Sequence, residues 1–209
     1  MRLYLSSFRV GDEASRLIEM AAGETLALIP NAMDHVPDPA RRESNERASA
    51  ELSALGVRNE ELDLRHYFGR EDELATELRR FAGVWVRGGN TFVLRRAMRL
   101  SGFERILPRL LANGFVYGGY SAGVCVLAPS LEGIGRVDEP DLDPHGFGSV
   151  IWEGLGVLPY LVLPHYRSDH HESEAIEGEV QYCQKNEIPF RTLRDGEVIV
   201  VDEPTGASA

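Results

Sequence analysis

From Arg2 to about Ala128, short apolar runs with β-branched and aromatic content alternate with stretches of helical periodicity. A chain with this rhythm satisfies its backbone and hides its apolar residues best as a mostly parallel sheet, its strands joined by crossover helices that cover both faces. The expected fold class is therefore α/β. Strands are expected over residues 2–6, 25–29, 61–64, 84–86 and 115–120. A first helix begins near Asp12 and is closed by Gly23, where a left-handed residue can end it. Asp38 before Pro39 reads as an N-cap, and Ala48, Leu52 and Leu55 share one face of a helix over 39–55. Leu74, Leu78 and Phe81 form the apolar stripe of another. A further helix runs from Thr91 to Leu100 and on to about Ala112, with a break or restart near Pro108.

The second half is less regular. Residues 131–149 are rich in Gly, Pro and Asp and predict a long loop near the site. Residues 158–163 read as a strand, 171–186 as a helix, and 191–201 as two short strands about an Asp195-Gly196 turn. The tail after Asp202 is expected to fray. At 209 residues, without repeats or low-complexity segments, the chain is read as one domain over 1–209.

Charge and composition narrow the partners. A net charge of −11 disfavours a nucleic-acid backbone, whose binding rests on cationic side chains displacing counterions. No apolar run approaches the roughly 18 residues of a membrane span, and the amino terminus lacks the pattern of a signal peptide, so no membrane partner and a cytoplasmic location are expected. Cys125 and Cys183 lack the spacing of a disulfide framework or metal site and read as core thiols. Neither a G-x-G-x-x-G fingerprint nor ligand spacing at His170-His171 occurs, so no cofactor and no metal are expected. A homodimer is compatible with the composition.

The strongest chemical signal is Gly119-Tyr120-Ser121-Ala122-Gly123, a G-x-S-x-G pentapeptide between an expected strand and an apolar helix start over 124–128. Its glycines permit a sharp turn that holds the serine hydroxyl at the carboxyl edge of the sheet, where open α/β folds bind ligands. Free N–H groups of the following helix, starting at Ala122, can stabilise charge on an attacked carbonyl oxygen. Gly88-Gly89-Asn90 is a second strand-to-helix turn, with two unhindered N–H groups and Asn90 as helix cap. Together the turns can build an oxyanion hole from Gly88, Gly89 and Ala122. Taken singly, each is also an ordinary tight turn. A serine needs a base. Of six histidines, His35 and His66 have no distinguishing context, His145 sits in the loop, and His170 and His171 open a helix, where capping or solvation is expected and a supporting role in the pocket stays open. His165 directly follows the run 162–164, Val-Leu-Pro, and is the preferred base. The acid that orients it is open among Asp138, Glu139, Asp169, Glu172 and Asp195, with Asp195 ranked first for its turn.

These motifs together resemble the peptidase E family, serine peptidases on a fold related to class I glutamine amidotransferases, a flavodoxin-like architecture. Residues 86–94 (VRGGNTFVL) resemble the family's strand-GGNTF-helix turn and 119–123 its nucleophile elbow. Residues 143–165 resemble its DP-x-GF loop leading to a strand that ends Pro-His. Residues 193–196 are similar to a segment in which the family carries Leu-Pro-Glu-Gly with the glutamate as triad acid, so Asp195 would stand in its place. Asp138 resembles another acidic position assigned to the triad and remains the rival. The resemblance implies that Ser121 attacks a peptide carbonyl, that His165 moves the proton, and that an acyl-enzyme is then hydrolysed in a small peptide substrate. Asn90, Tyr120 and Glu174 are the expected substrate contacts. Glu174 falls near the place where the family's aspartyl dipeptidases carry an arginine, which implies that strict preference for Asp-X dipeptides is absent or relocated to Arg167 or another arginine. Two other readings remain: a serine hydrolase of esters or modified peptides, and a non-catalytic ligand-binding module on the same fold.

Overall fold

The computed structural model describes residues 1–203. Seven helices and eight strands are placed among them. Five strands run parallel: β1 (Arg2–Ser6), β2 (Leu26–Ile29), β3 (Asn59–Glu61), β4 (Gly83–Val86) and β5 (Val116–Tyr120). β8 (Val198–Asp202) closes the sheet as an antiparallel edge beside β1, giving the order β3-β2-β4-β5-β1-β8.

Strand side chains alternate between two cores, as the twofold period of a strand requires. Leu3, Leu5, Ala27, Ile29, Val84, Val86 and Tyr117 pack with Leu74 and Leu78 of α3 (Glu71–Leu78), Leu94, Ala97 and Met98 of α4 (Thr91–Ser101), and Phe103 and Leu107 of α5 (Phe103–Ala112). Tyr4, Leu26, Leu28, Trp85 and Val116 turn the other way, onto Leu17 and Met20 of α1 (Ala14–Ala21) and Leu52 of α2 (Asp38–Ala54). Both faces are thus covered. Each fully buried large apolar side chain contributes about 1.5–3 kcal/mol.

Several local expectations are corrected. Asp38 is the first residue of α2, which makes no side-chain cap, and Pro37 precedes it. Residues Leu64–Tyr67 form a 3-10 turn, and β3 lies earlier. The break between α4 and α5 falls at Gly102, left-handed at φ 78, and not at Pro108. Pro108 sits on the exposed side of α5, so the hydrogen bond it cannot make is missing from the wet face. β6 (Leu161–Leu163) and β7 (Phe190–Thr192) pair in parallel as a separate two-stranded sheet. The strands flanking Asp195-Gly196 are therefore no hairpin, since β7 joins β6 while β8 joins β1. A third core, including Phe92, Cys125, Leu161, Leu163, Ile176 and Cys183, holds this unit and α7 (Ser173–Lys185) against the body. Both cysteines are buried and free. The expected fraying lies mostly outside the described residues. No helix among them is long and apolar enough to cross a membrane.

Strand order also explains the elbow glycines. β4 and β5 are neighbours in register, with Val86 opposite Gly119. A Cβ on Gly119 would stand 2.7 Å from the Val86 carbonyl oxygen, and one on Gly123 closer still. We expect Gly123→Ala to lower the unfolding free energy by about 1–3 kcal/mol through overpacking. Gly178→Ala, where an added Cβ meets nothing within 4 Å, should raise it by about 0.5–1 kcal/mol; urea denaturation of both variants checks the contrast.

Candidate active site

Three adjacent carboxyl ends, those of β4, β5 and β1, build one side of a cleft of about 470 Å³. After β5 the chain turns at Ser121 with φ 50 and ψ −120, a conformation disfavoured for any residue bearing a Cβ. α6 (Ala122–Cys125) follows at once, and the Val124 and Cys125 N–H groups donate to the Ser121 carbonyl at 2.8 and 3.0 Å. Ser121 is half-buried at the cleft, and its hydroxyl makes no hydrogen bond among the described residues, including to His165.

Beside it runs the turn after β4. The Arg87 and Asn90 N–H groups donate to the carbonyls of Ile29 at 3.2 Å and Ala32 at 2.9 Å. Those of Gly88 and Gly89 between them have no partner among the described residues. Gly88 packs so close to the elbow that a Cβ there would lie 2.9 Å from Cβ of Ser121, and Gly89 adopts φ 143 against the Ala32 carbonyl. Ala122, as first residue of α6, has no intrahelical acceptor for its N–H. Three unengaged donors are therefore contributed by Gly88, Gly89 and Ala122.

His165 follows β6 in a left-handed conformation, φ 60, and its side chain is 1% exposed. Nδ1 lies 2.7 Å from Asp195 Oδ1. That oxygen also accepts from Ser7 Oγ at 2.8 Å, and the same Ser7 oxygen accepts the His165 N–H at 2.8 Å. Asp195 in turn donates its N–H to Ser168 Oγ at 2.8 Å. With Nδ1 carrying the proton toward Asp195, Nε2 is left as the free acceptor. Its nearest carboxylate is Glu172, 3.7 Å away. His170 stacks on His165 with centroids 3.7 Å apart and planes 8° apart, and burial, reinforced by His165, lowers the pKa of His170. Phe8 packs edge-on to both rings. His165, His170 and Glu172 place donor atoms within 4.8 Å of one another, but parallel stacking directs the imidazole lone pairs side by side and not toward one ion.

Asp138 lines the same cleft and bonds elsewhere. Its Oδ2 accepts the Thr91 N–H at 2.8 Å at the start of α4, and burial raises its pKa to about 7 against the lowering effect of Thr91. Asn90 caps α4 by accepting from the Val93 N–H at 2.9 Å, while its amide donates to the Glu139 carbonyl at 3.0 Å. Both ends of that side chain are occupied. Tyr120 borders the cleft and packs edge-on to Phe8.

Glu174 is corrected: it lies exposed in the first turn of α7 and does not line the cleft, because the chain enters that helix only at Ser173. Glu172, two residues earlier, faces the cleft instead. Arg167 is also outside, paired with Glu177 at 3.1 Å. Ser7, Phe8 and Arg87 carry no signal in the sequence as site residues, since their placement depends on strand order and on the loop path.

Residues 8–208 match the model of peptidase family S51. A peptidase E of Streptomyces coelicolor is 31% identical over 189 residues, covering 88% of this chain and 70% of its own length. An uncharacterized peptidase of Listeria monocytogenes is 27% identical over 167 residues, covering 79% of this chain and 77% of its own. A crystal structure of a candidate peptidase E protein from Listeria monocytogenes superposes with a TM-score of 0.74 at 25% identity, over 97% of this chain and 98% of that one. The shared architecture is the class I glutamine amidotransferase-like, flavodoxin-like α/β fold.

Burial of Asp138 has a consequence for stability. An acid whose folded pKa is raised to about 7 binds more protons folded than unfolded, so its contribution is present at low pH and is lost as pH rises from the unfolded carboxylate range through about 7. Asp138→Asn keeps an acceptor for Thr91 and removes this term. We expect the variant to gain stability relative to wild type progressively between pH 4 and pH 8, as read by urea denaturation at each pH.

Proposed function

The chain belongs to peptidase family S51, and on that premise we propose that it is a serine-type peptidase acting on small peptides through Ser121, His165 and Asp195. The observation that carries the reading is the strained Ser121 at the end of β5, sharing a cleft with a histidine whose Nδ1 is held 2.7 Å from Asp195. In this reading, Ser121 Oγ attacks the peptide carbonyl and its proton passes to Nε2 of His165. The oxygen of the tetrahedral intermediate is stabilised by the Gly88, Gly89 and Ala122 N–H groups, which reach the elbow from two sides. His165 then gives the proton to the leaving amine as the C–N bond breaks; water, deprotonated by the same nitrogen, attacks the acyl carbon, and His165 returns that proton to Ser121 Oγ as the ester bond breaks. Asp195 orients the imidazole and stabilises its charged form. Asp138 serves as the buried N-terminal partner of α4 and as a cleft wall.

Small substrates fit the volume of the cleft, and the loop wall is fixed, which favours short peptides over folded chains. The Arg96 guanidinium donates to the carbonyls of Pro140, Leu142 and Ser149 at 2.8–3.0 Å, and Asn90 and Asp138 tie down the start of the same loop.

A fluorophosphonate should label the wild-type protein once, at Ser121, and fail to label Ser121→Ala, as read by intact mass. On any peptide that is hydrolysed, His165→Ala should lower kcat/KM by about 10³-fold or more and Asp195→Ala by about 10²–10⁴-fold. Asp138→Ala should cost less than about tenfold, because it leaves the His165–Asp195 pair intact. A larger loss from Asp138 than from Asp195 in folded proteins would transfer the orienting role to Asp138.

A further inference from the structure

Four arginines are almost fully buried, and Arg87 differs from the other three. Arg41 lies 3.4 Å from Asp34, Arg95 2.6 Å from Glu104 and Arg96 3.8 Å from Asp143. Arg87, 6% exposed, has no carboxylate within ion-pair distance among the described residues. Its guanidinium donates to the Asn45 amide oxygen at 2.6 Å and the Ser44 hydroxyl at 2.9 Å, both neutral, and its Nε has no partner. Of five N–H donors in a guanidinium, two are used. An uncompensated buried cation costs free energy that neutral acceptors only partly return.

Its position is equally particular. Arg87 directly precedes Gly88 of the turn beside Ser121, and it lines both the Ser121 cleft and an adjoining groove that also carries Arg9 and Arg47. Those two already have glutamates nearby, Glu51 at 3.9 Å and Glu43 at 3.3 Å. Glu51 lines that groove as well, so in a chain of net charge −11 Arg87 is the arginine that brings a positive charge without a carboxylate partner among the described residues to the wall of the Ser121 cleft. Asp138 and Glu172 also line the Ser121 cleft.

We propose that Arg87 is a specificity-determining residue that anchors a carboxylate of the substrate at the junction of the cleft and this groove. The inference rests on the reading of the cleft as a peptide-hydrolysing site. The carboxylate can belong to the acyl residue's side chain or to the free carboxyl terminus of a short peptide; the chemistry recognised is the same, bidentate or paired N–H donation from a guanidinium.

The test uses the full chain carrying Ser121→Ala, so that ligands are bound and not consumed, and four peptides: Asp-Leu, Asn-Leu, Asp-Leu amide and Asn-Leu amide. Isothermal titration should show that replacing one of the two carboxylates by its amide weakens binding about tenfold or more, the scale of a charge-assisted hydrogen bond. Loss with Asn-Leu identifies the side chain as the source, and loss with Asp-Leu amide identifies the terminus. Adding Arg87→Gln should reduce that ratio to below about threefold, and Arg87→Lys should restore part of it, an effect that a merely structural role would not produce. Equal binding of carboxylate and amide peptides would overturn the inference. So would a ratio that survives Arg87→Gln, or no binding by any of the four in protein that unfolds cooperatively. Fluorophosphonate labelling of the wild type reports on the serine-peptidase reading by itself. Labelling without carboxylate discrimination removes the role of Arg87 alone; discrimination without labelling removes the peptidase mechanism and leaves the anion anchor.

Discussion

The end of β4 and the turn after β5 touch at the Val86 carbonyl, which packs against Gly119 and Gly123 with no room for a side chain on either glycine. Everything at the cleft depends on that approach. It brings the Gly88-Gly89 turn alongside Ser121, and the N–H groups of Gly88, Gly89 and Ala122 have no partner among the described residues. It also keeps Ser121 in its disfavoured conformation, because the short α6 and the neighbouring strand leave the chain no alternative path. The second fixture is Ser7 at the end of β1. One hydroxyl accepts from the His165 backbone and donates to Asp195, joining three segments that are remote in sequence.

The cleft is electrically divided. Glu172 stands just before α7 and Asp138 on the loop, and the guanidinium of Arg87, with no carboxylate partner among the described residues, stands at the end of β4. Burial pushes the Asp138 proton affinity up and the His170 affinity down, so both tend toward their neutral forms around neutrality. A neutral His170 can stack on His165 without opposing the positive charge that His165 would acquire as a base. The loop wall, although rich in Gly, Pro and Asp, is bolted by Arg96, Asn90 and Thr91, and behaves as part of the body and not as a linker.

Local chemistry in the sequence carried the two turns, because a glycine pair after a β-branched strand and a G-x-S-x-G before a helix are each complete within a few residues. The alternation of strands and helices carried the sheet for the same reason. Pairings between distant segments were less legible. Residues 191–201 read as a hairpin because nothing local shows that β7 pairs with β6 while β8 runs beside β1. The difference between Glu172 and Glu174 is a matter of where α7 starts, and helix starts shift by a residue or two in any sequence reading. Ser7, Phe8 and Arg87 carried no local signal, since only the order β4-β5-β1 brings those strand ends together. Asp195, ranked first for its turn, lies 2.7 Å from His165 Nδ1, while Asp138 accepts the Thr91 N–H at the start of α4, a contact no local pattern announces.

A crystal structure of the fluorophosphonate adduct would test the convergence of the two turns most directly. The expected result is a phosphorus bonded to Ser121 Oγ, with its phosphoryl oxygen about 2.7–3.1 Å from the N–H groups of Ala122 and of Gly88 or Gly89. His165 Nε2 should face the bonded oxygen while Nδ1 stays on Asp195. An adduct on another residue, or a phosphoryl oxygen directed away from both turns into solvent, would contradict it.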